Sequence, residues 1–278
     1  MTTPLVSPWW LSENLAEVRI LDARFKLSDP ELGLRAYRAG HIPGALFVDL
    51  ERDLSAPVRA DRVGGRHPLP STEVLARVFS RLGVSNSDHV IAYDDPSEGQ
   101  GFYAPHLWWL LRYLGHDRVS VLDGGLPAWI ASGGALSTDT PAPSPTEFAV
   151  HPRPGMLASV EEVASRAAGT ILIDSRAPDR FRGETEPVDW KGGHIPGAIN
   201  LPWSGGIESG QWKPATDQRQ RLAEVSAAPD AIVYCGSGVS ACGNLLAMEI
   251  AGVKHVRLYV GSWSDWISDP DRPIATGG

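Results

Sequence analysis

The sequence predicts an α/β protein made of two similar halves, each a mostly parallel sheet flanked by helices. Three observations carry this. Short apolar runs that read as buried strands alternate with stretches of helical spacing, the pattern of repeated βαβ units. A polar stretch without periodicity, residues 136–155 with Pro141, Pro143, Pro145, Pro152 and Pro154, divides the chain near its middle. Four segments of the first half then recur in the same order in the second. Ile171-Leu172-Ile173-Asp174-Ser175-Arg176 answers Ile20-Leu21-Asp22-Ala23-Arg24, and Gly193-His194-Ile195-Pro196-Gly197-Ala198 answers Gly40-His41-Ile42-Pro43-Gly44-Ala45. Ile232-Val233-Tyr234-Cys235 answers Ile91-Ala92-Tyr93-Asp94, and the segment ending at Trp266 answers the one ending at Trp129. The spacing between matches drifts, which places the length changes in loops. The expected division is a first domain over 1–140, a linker over 141–155 and a second domain over 156–278.

Taken in order, Ser7-Pro8-Trp9-Trp10-Leu11 reads as the entry to a helix near residues 8–15, and Val18–Asp22 as a strand ending on a polar residue. Residues 37–45 read as turns, and 46–48 resume extended chain. Helical periodicity over 71–82 follows Ser71 or Thr72 as N-cap. His89–Tyr93 is a buried strand, a helix spans Ala104 to Leu114, Val119–Leu122 is a strand, and a short helix begins at Leu126. In the second half, 171–174 and 231–234 read as strands, and Ala241, Leu245 and Met248 begin a helix. Trp108, Trp109, Trp129, Trp263 and Trp266 are expected to pack under the sheets, with Trp263 also a candidate wall for the site.

Composition bounds the function. A hydrophobic fraction of 42% supports a real core, and a formal charge of −8 argues against a nucleic-acid partner. Two cysteines are too few for a disulfide framework or a structural zinc site. No apolar run approaches the ~18 residues of a membrane span, and no basic start precedes an apolar leader. A soluble, cytoplasmic protein without metal or cofactor is expected.

The chemistry concentrates at Cys235-Gly236-Ser237-Gly238-Val239-Ser240. A strand ends there, glycines turn the chain, and a helix starts. Open α/β sheets bind ligands at such carboxyl ends. Loop amides and a helix N-terminus favour negative charge, so a thiol at this point is expected to hold a useful thiolate fraction. The first half carries Asp94 where the second carries Cys235. A carboxylate cannot do thiolate chemistry, so one half keeps the nucleophile and the other is scaffold. A shared residue such as His41 or His194 is then structural, as are Arg24 and Arg176.

With these residues in view, the whole chain resembles tandem-domain rhodanese-family sulfurtransferases. The resemblance rests on the Cys235 loop, the two Gly-His-Ile-Pro-Gly-Ala segments, Asp123-Gly-Gly-Leu-Pro-Ala-Trp129 and Gly261-Ser-Trp-Ser-Asp-Trp266. It implies two parallel-sheet domains, and a Cys235 that takes a sulfane sulfur from a small donor as a persulfide and passes it to cyanide, a thiol or a thioredoxin-like protein. It implies that the loop amides and the Ser237 and Ser240 hydroxyls stabilise that sulfur. By its match to a family arginine, Arg180 would bind the donor carboxylate. The second arginine usual shortly downstream is missing here, which leaves Arg182 or Lys191 for that place. Glu51 and His67 match, by order, a first-domain acidic residue and histidine near the loop serine. A Cys-Gly-Ser-Gly-Val loop without Lys or Arg favours 3-mercaptopyruvate; thiosulfate, a dianion, is the alternative donor, and a catalytically silent binding module the weaker alternative. Cysteine phosphatases of this fold carry a loop arginine where this chain has Ala241. Cys242, two helical turns from Cys235, reads as a small apolar helix residue rather than a resolving thiol.

Overall fold

The computed structural model describes residues 2–98 and 101–278. They form two compact units. The first holds the chain up to Ser55, Pro70–Arg153 and Ser209–Trp212, and the second holds Ala56–Leu69, Pro154–Glu208 and Lys213–Gly278.

The first unit is built on β1 (Leu5–Val6), β2 (Val18–Asp22), β3 (Leu46–Phe47), β4 (His89–Tyr93) and β5 (Val119–Leu122). They are parallel, in the order β1-β5-β4-β2-β3. A parallel sheet must be covered on both faces, and helices Pro8–Asn14, Leu32–Ala39, Thr72–Arg81, Tyr103–Tyr113 and Gly125–Ala131 supply that cover. Ser7 and Ser71 cap their helices, each Oγ accepting an amide N–H three residues on. Trp129 packs with Ile20, Ile91 and Tyr93 in the core. The segment 37–45 is not all turn: helix Leu32–Ala39 runs into it and stops at Gly40. Its buried residues are only Gly33 and Tyr37, spaced i, i+4, a stripe too narrow for periodicity alone to show.

The Pro-rich stretch is likewise no free linker as far as Arg153. It is held along the first unit by the bonds Thr146 N–H to Ser80 O (3.0 Å), His151 N–H to Leu114 O (2.8 Å) and Arg153 N–H to Tyr113 O (2.9 Å). Prolines lack a donor but still accept, and the residues between them do the pairing. Residues 56–69, counted with the first domain on sequence order, pack in the second unit.

That unit is built on β6 (Thr170–Asp174), β7 (Ala198–Asn200), β8 (Asp230–Tyr234) and β9 (Val256–Leu258). These are parallel in the order β9-β8-β6-β7, and Leu157 bridges Leu258 at the far edge. Short helices at 160–164, 178–182, 215–221 and 223–227 arise where the sequence showed no long periodicity; Ser159 and Glu162 form a capping box on the first. Trp263 and Trp266 are buried in the core.

The repeat is visible in hydrogen bonds. Arg24 Nη2 reaches Asp22 (2.7 Å) and the Gly40 carbonyl (2.9 Å); Arg176 Nη2 reaches Asp174 (2.6 Å) and the Gly193 carbonyl (2.6 Å). Tyr93 and Tyr234 hydroxyls each accept the N–H of an isoleucine, Ile42 and Ile195. His41 stacks on Tyr37 and His194 on Phe181, each with Nδ1 2.8 Å from that partner's carbonyl. Both histidines are therefore turn-fixing groups. Among the described residues no helix is long and apolar enough to cross a membrane.

At the end of β4 the Asp94 carboxylate accepts the N–H groups of Tyr103 and Ala104, both at 2.9 Å. It caps the helix that follows. Burial pushes this acid up to about 7, although the Ala104 and Tyr103 amides pull the other way. An acid with a raised folded-state pKa keeps its proton where the unfolded chain has lost it, so stability falls as pH rises from about 4 to about 7. Asp94→Asn is expected to remove that fall, which is at most about 1.4 kcal/mol per pH unit. Denaturant unfolding of both proteins across this window checks it: parallel pH profiles would contradict the assignment.

Candidate functional site

Within the second unit, β8 ends at Tyr234 and the chain turns through residues 235–240 into helix Ala241–Ala251. The turn is shaped by where its carbonyls go. Cys235 O accepts the Trp263 N–H and Gly236 O the Ser264 N–H, both at 3.0 Å; Val239 O accepts the Cys242 N–H at 3.1 Å. The Cys242 Sγ donates to Gly238 O at 3.4 Å. In a trans peptide the N–H points opposite to the C=O. Tying these carbonyls outward turns the next amides to the other side. The N–H groups of Gly236 through Ser240 accordingly make no hydrogen bond among the described residues. They form a run of free donors beside a buried thiol, the arrangement that binds anions. Gly238 has φ +80°, and a Cβ there would lie 2.5 Å from Val260 O, so only glycine closes this turn. The Cys235 N–H is not among the free donors, since it is spent on Ser262 Oγ at 3.1 Å.

Three side chains from elsewhere in the unit meet the loop. His67 Nδ1 lies 2.8 Å from Ser237 Oγ, and both residues are buried. A methyl group added at Gly236 would sit 3.0 Å from Arg66 Nη2, and 3.5 and 3.7 Å from Arg180 Nη2 and Nη1. The loop is neutral in sequence, yet two guanidinium groups flank it. Both are countered: Arg66 Nη1 pairs with Asp189 at 2.6 Å, and Arg180 Nη2 pairs with Glu186 at 2.7 Å and Asp189 at 3.5 Å. Burial raises Glu186, but Arg180 and two loop amides more than offset it and hold this acid below its ordinary range. Burial pushes Asp189 up, with Arg66 and Arg180 pulling against it.

Residues 64–67 form a strap fastened to helix Ser262–Trp266. The Gly64 N–H donates to Asp265 Oδ1 (2.7 Å) and the Arg66 N–H to Ser264 Oγ (3.0 Å). Gly65 at φ +79° packs so closely that a Cβ would meet Gly261 O at 2.5 Å and Ser264 Oγ at 2.6 Å.

The structure thus gathers Cys235, the loop, Arg180 and His67. It does not bring Arg182 or Lys191 to them. Arg182 pairs with Glu184 at 2.7 Å on the surface, and the Lys191 ammonium lies 5.5 Å from the ring centroid of the exposed Trp190. The residue beside Arg180 is Arg66, not Arg182 or Lys191; sequence order could not pair residues so far apart. Glu51 belongs to the first unit, where it is exposed and its N–H donates to Asp49. Trp263 is buried, its indole N–H on Lys191 O (2.8 Å) and the Arg176 guanidinium 4.8 Å from its ring centroid. Cys242 is buried in the helix, and burial pushes its thiol up. Among the described residues no cluster of three or more His, Cys, Asp or Glu could hold a metal.

The family model of the rhodanese-like domain matches residues 7–132 and again 159–269. The chain belongs to the rhodanese family. It is a two-domain sulfurtransferase of that family, a class that moves sulfur from a small donor to an acceptor. It is 44% identical, over 98% of each chain, to a Pseudomonas aeruginosa protein named "Probable 3-mercaptopyruvate sulfurtransferase". It is 40% identical to a Mycobacterium tuberculosis protein named "Putative thiosulfate sulfurtransferase SseB", over 94% of this chain and 91% of that one. The crystal structure of the 3-mercaptopyruvate enzyme of Escherichia coli superposes with a TM-score of 0.82 at 35% identity, covering 95% of this chain and 100% of that one.

The strap is open to a direct test. Gly65→Ala adds a methyl group where there is no room and is expected to lift Arg66 and His67 from the loop. Sulfur transfer to cyanide should fall by roughly tenfold or more, the rate equivalent of about 1.4 kcal/mol. A folded variant with the wild-type rate would show that the docked strap is dispensable.

Proposed function

We propose that the protein is a 3-mercaptopyruvate sulfurtransferase acting through a Cys235 persulfide. The observation that carries the donor choice is the charge balance at the loop: two guanidinium groups already answered by two carboxylates. Such a site suits a donor with one fixed negative charge better than dianionic thiosulfate. Arg180 and Arg66 hold the donor carboxylate, with the reacting sulfur toward Cys235. The Cys235 thiolate attacks that sulfur. An S–S bond forms, the C–S bond breaks, and its electron pair leaves on the pyruvate enolate. The transferred sulfur gives up its proton, which passes through Ser237 and His67 to the enolate carbon, so pyruvate leaves and the persulfide is left as an anion. The free amides from Gly236 to Ser240, and the Ser240 hydroxyl, stabilise charge on the terminal sulfur. Cyanide or a thiol, including that of a thioredoxin-like protein, then removes this sulfur and restores the thiolate. Both cysteines are free thiols, which accords with a reducing, cytoplasmic setting. The names of the relatives quoted above point to both donors, and the charge balance favours the first.

Cys235→Ser keeps nearly the same volume but forms no persulfide. It is expected to abolish transfer from either donor while leaving the unfolding midpoint close to wild type. Turnover by the folded Ser protein would sink the assignment.

Wild-type kcat/KM is expected to be higher for 3-mercaptopyruvate than for thiosulfate. Side-by-side kinetics with cyanide as acceptor decides it, and a thiosulfate preference would replace this reading with the alternative one.

A further inference from the structure

Asp189 is 8% exposed in its side chain, and among the described residues it is the one carboxylate that touches both arginines of the loop. It lies 2.6 Å from Arg66 and 3.5 Å from Arg180. Glu186 is committed elsewhere as well: it also pairs with the buried Arg176 at 3.2 Å and accepts the Val188 and Asp189 N–H groups, both at 3.1 Å. Glu186 is therefore part of the frame, while Asp189, among the described residues, pairs only with the two cations that face Gly236. Arg66 Nη2 and Arg180 Nη1, which would lie 3.0 and 3.7 Å from a methyl group at Gly236, donate to no described residue, while Arg180 Nη2, at 3.5 Å, is held by Glu186 and Asp189. Two free donors point into the site, and Asp189 stands behind them as a fixed negative charge.

We propose that Asp189 is a specificity-determining residue that sets the charge of the donor this site accepts. The proposal rests on the reading of Cys235 and the two arginines given above. With Asp189 in place the positive charge of Arg66 and Arg180 is balanced by Asp189 and Glu186. An entering monoanion meets free hydrogen-bond donors at no large net charge. A dianion meets the same donors and twice the repulsion from Asp189. Coulomb energy scales with the product of charges, so removing the carboxylate favours the dianion twice as much as the monoanion. Asp189 also occupies the downstream stretch where no arginine stands, and Arg66 on the strap provides the second guanidinium instead.

The test measures kcat/KM for thiosulfate and for 3-mercaptopyruvate at pH 8 and fixed low ionic strength, in wild type and in D189N, D189E and R66Q. In D189N the thiosulfate to mercaptopyruvate ratio should rise by about tenfold, carried by the thiosulfate KM, and the rise should shrink in high salt. D189E keeps the charge and should stay near the wild-type ratio. R66Q leaves Asp189 in excess and should move the ratio the opposite way, which tests the charge argument even if D189N folds poorly. An unchanged ratio in folded D189N, a parallel loss with both donors, or a shift in D189E equal to that in D189N would overturn the proposal. A wild-type preference for thiosulfate would instead overturn the donor assignment above, and the direction of the D189N shift would still decide the role of Asp189.

Discussion

The second unit depends on a buried chain of charges that begins at a strand end. Asp174 closes β6 and holds Arg176, whose side chain is 1% exposed. Arg176 binds the Gly193 carbonyl, lies over the Trp263 ring and pairs with Glu186. Glu186 holds Arg180, Asp189 bridges Arg180 to Arg66, and Arg66 ends the chain beside Gly236. Burying any one of these ions alone would cost several kcal/mol, and cutting the chain strands a partner, typically about 3–5 kcal/mol. Alternation of sign keeps the whole chain in place and delivers two guanidinium groups to a loop whose own sequence has none.

The two halves show what such a frame is for once the nucleophile is gone. Asp22, Arg24 and Gly40 repeat Asp174, Arg176 and Gly193 bond for bond. The strand-end position itself has diverged. Asp94 turns its carboxylate onto the N–H groups of Tyr103 and Ala104 and closes the turn as a cap. After Cys235 the loop amides from Gly236 to Ser240 stay free, because neighbouring carbonyls are pulled outward and the thiol does not cap them. One backbone plan thus gives a satisfied turn or an open anion site, according to one side chain and the bonds around it.

Much of the site was readable because it is local. Strand, glycine turn and helix are contiguous, so Cys235 and the loop from Gly236 to Ser240 announce themselves, as do the repeat and the Gly-His-Ile-Pro-Gly turns. Arg180 was found through its resemblance to a family arginine. His67 was found by order alone, and its contact with Ser237 depends on Gly65, whose need to be glycine is invisible without Gly261 beside it. Arg182 and Lys191 were reasonable places to seek a second cation. Proximity in sequence misled there, since Arg182 has a neighbouring carboxylate of its own in Glu184.

The sequence by itself determined the α/β class, the duplication, the strand ends and the single thiol on its glycine turn, because apolar periodicity, glycine conformation and a repeated motif all act over a few residues. Only the tertiary structure decided that residues 56–69 pack in the second unit, that the Pro-rich stretch lies along the first as far as Arg153, and that Arg66, Arg180 and Asp189 meet at Gly236. Those outcomes rest on contacts between residues more than a hundred positions apart, or on backbone bonds that side-chain pattern does not encode. Charge pairing in a buried site is set by which groups the fold places within a few ångströms, and that distance is written in no single stretch of the chain.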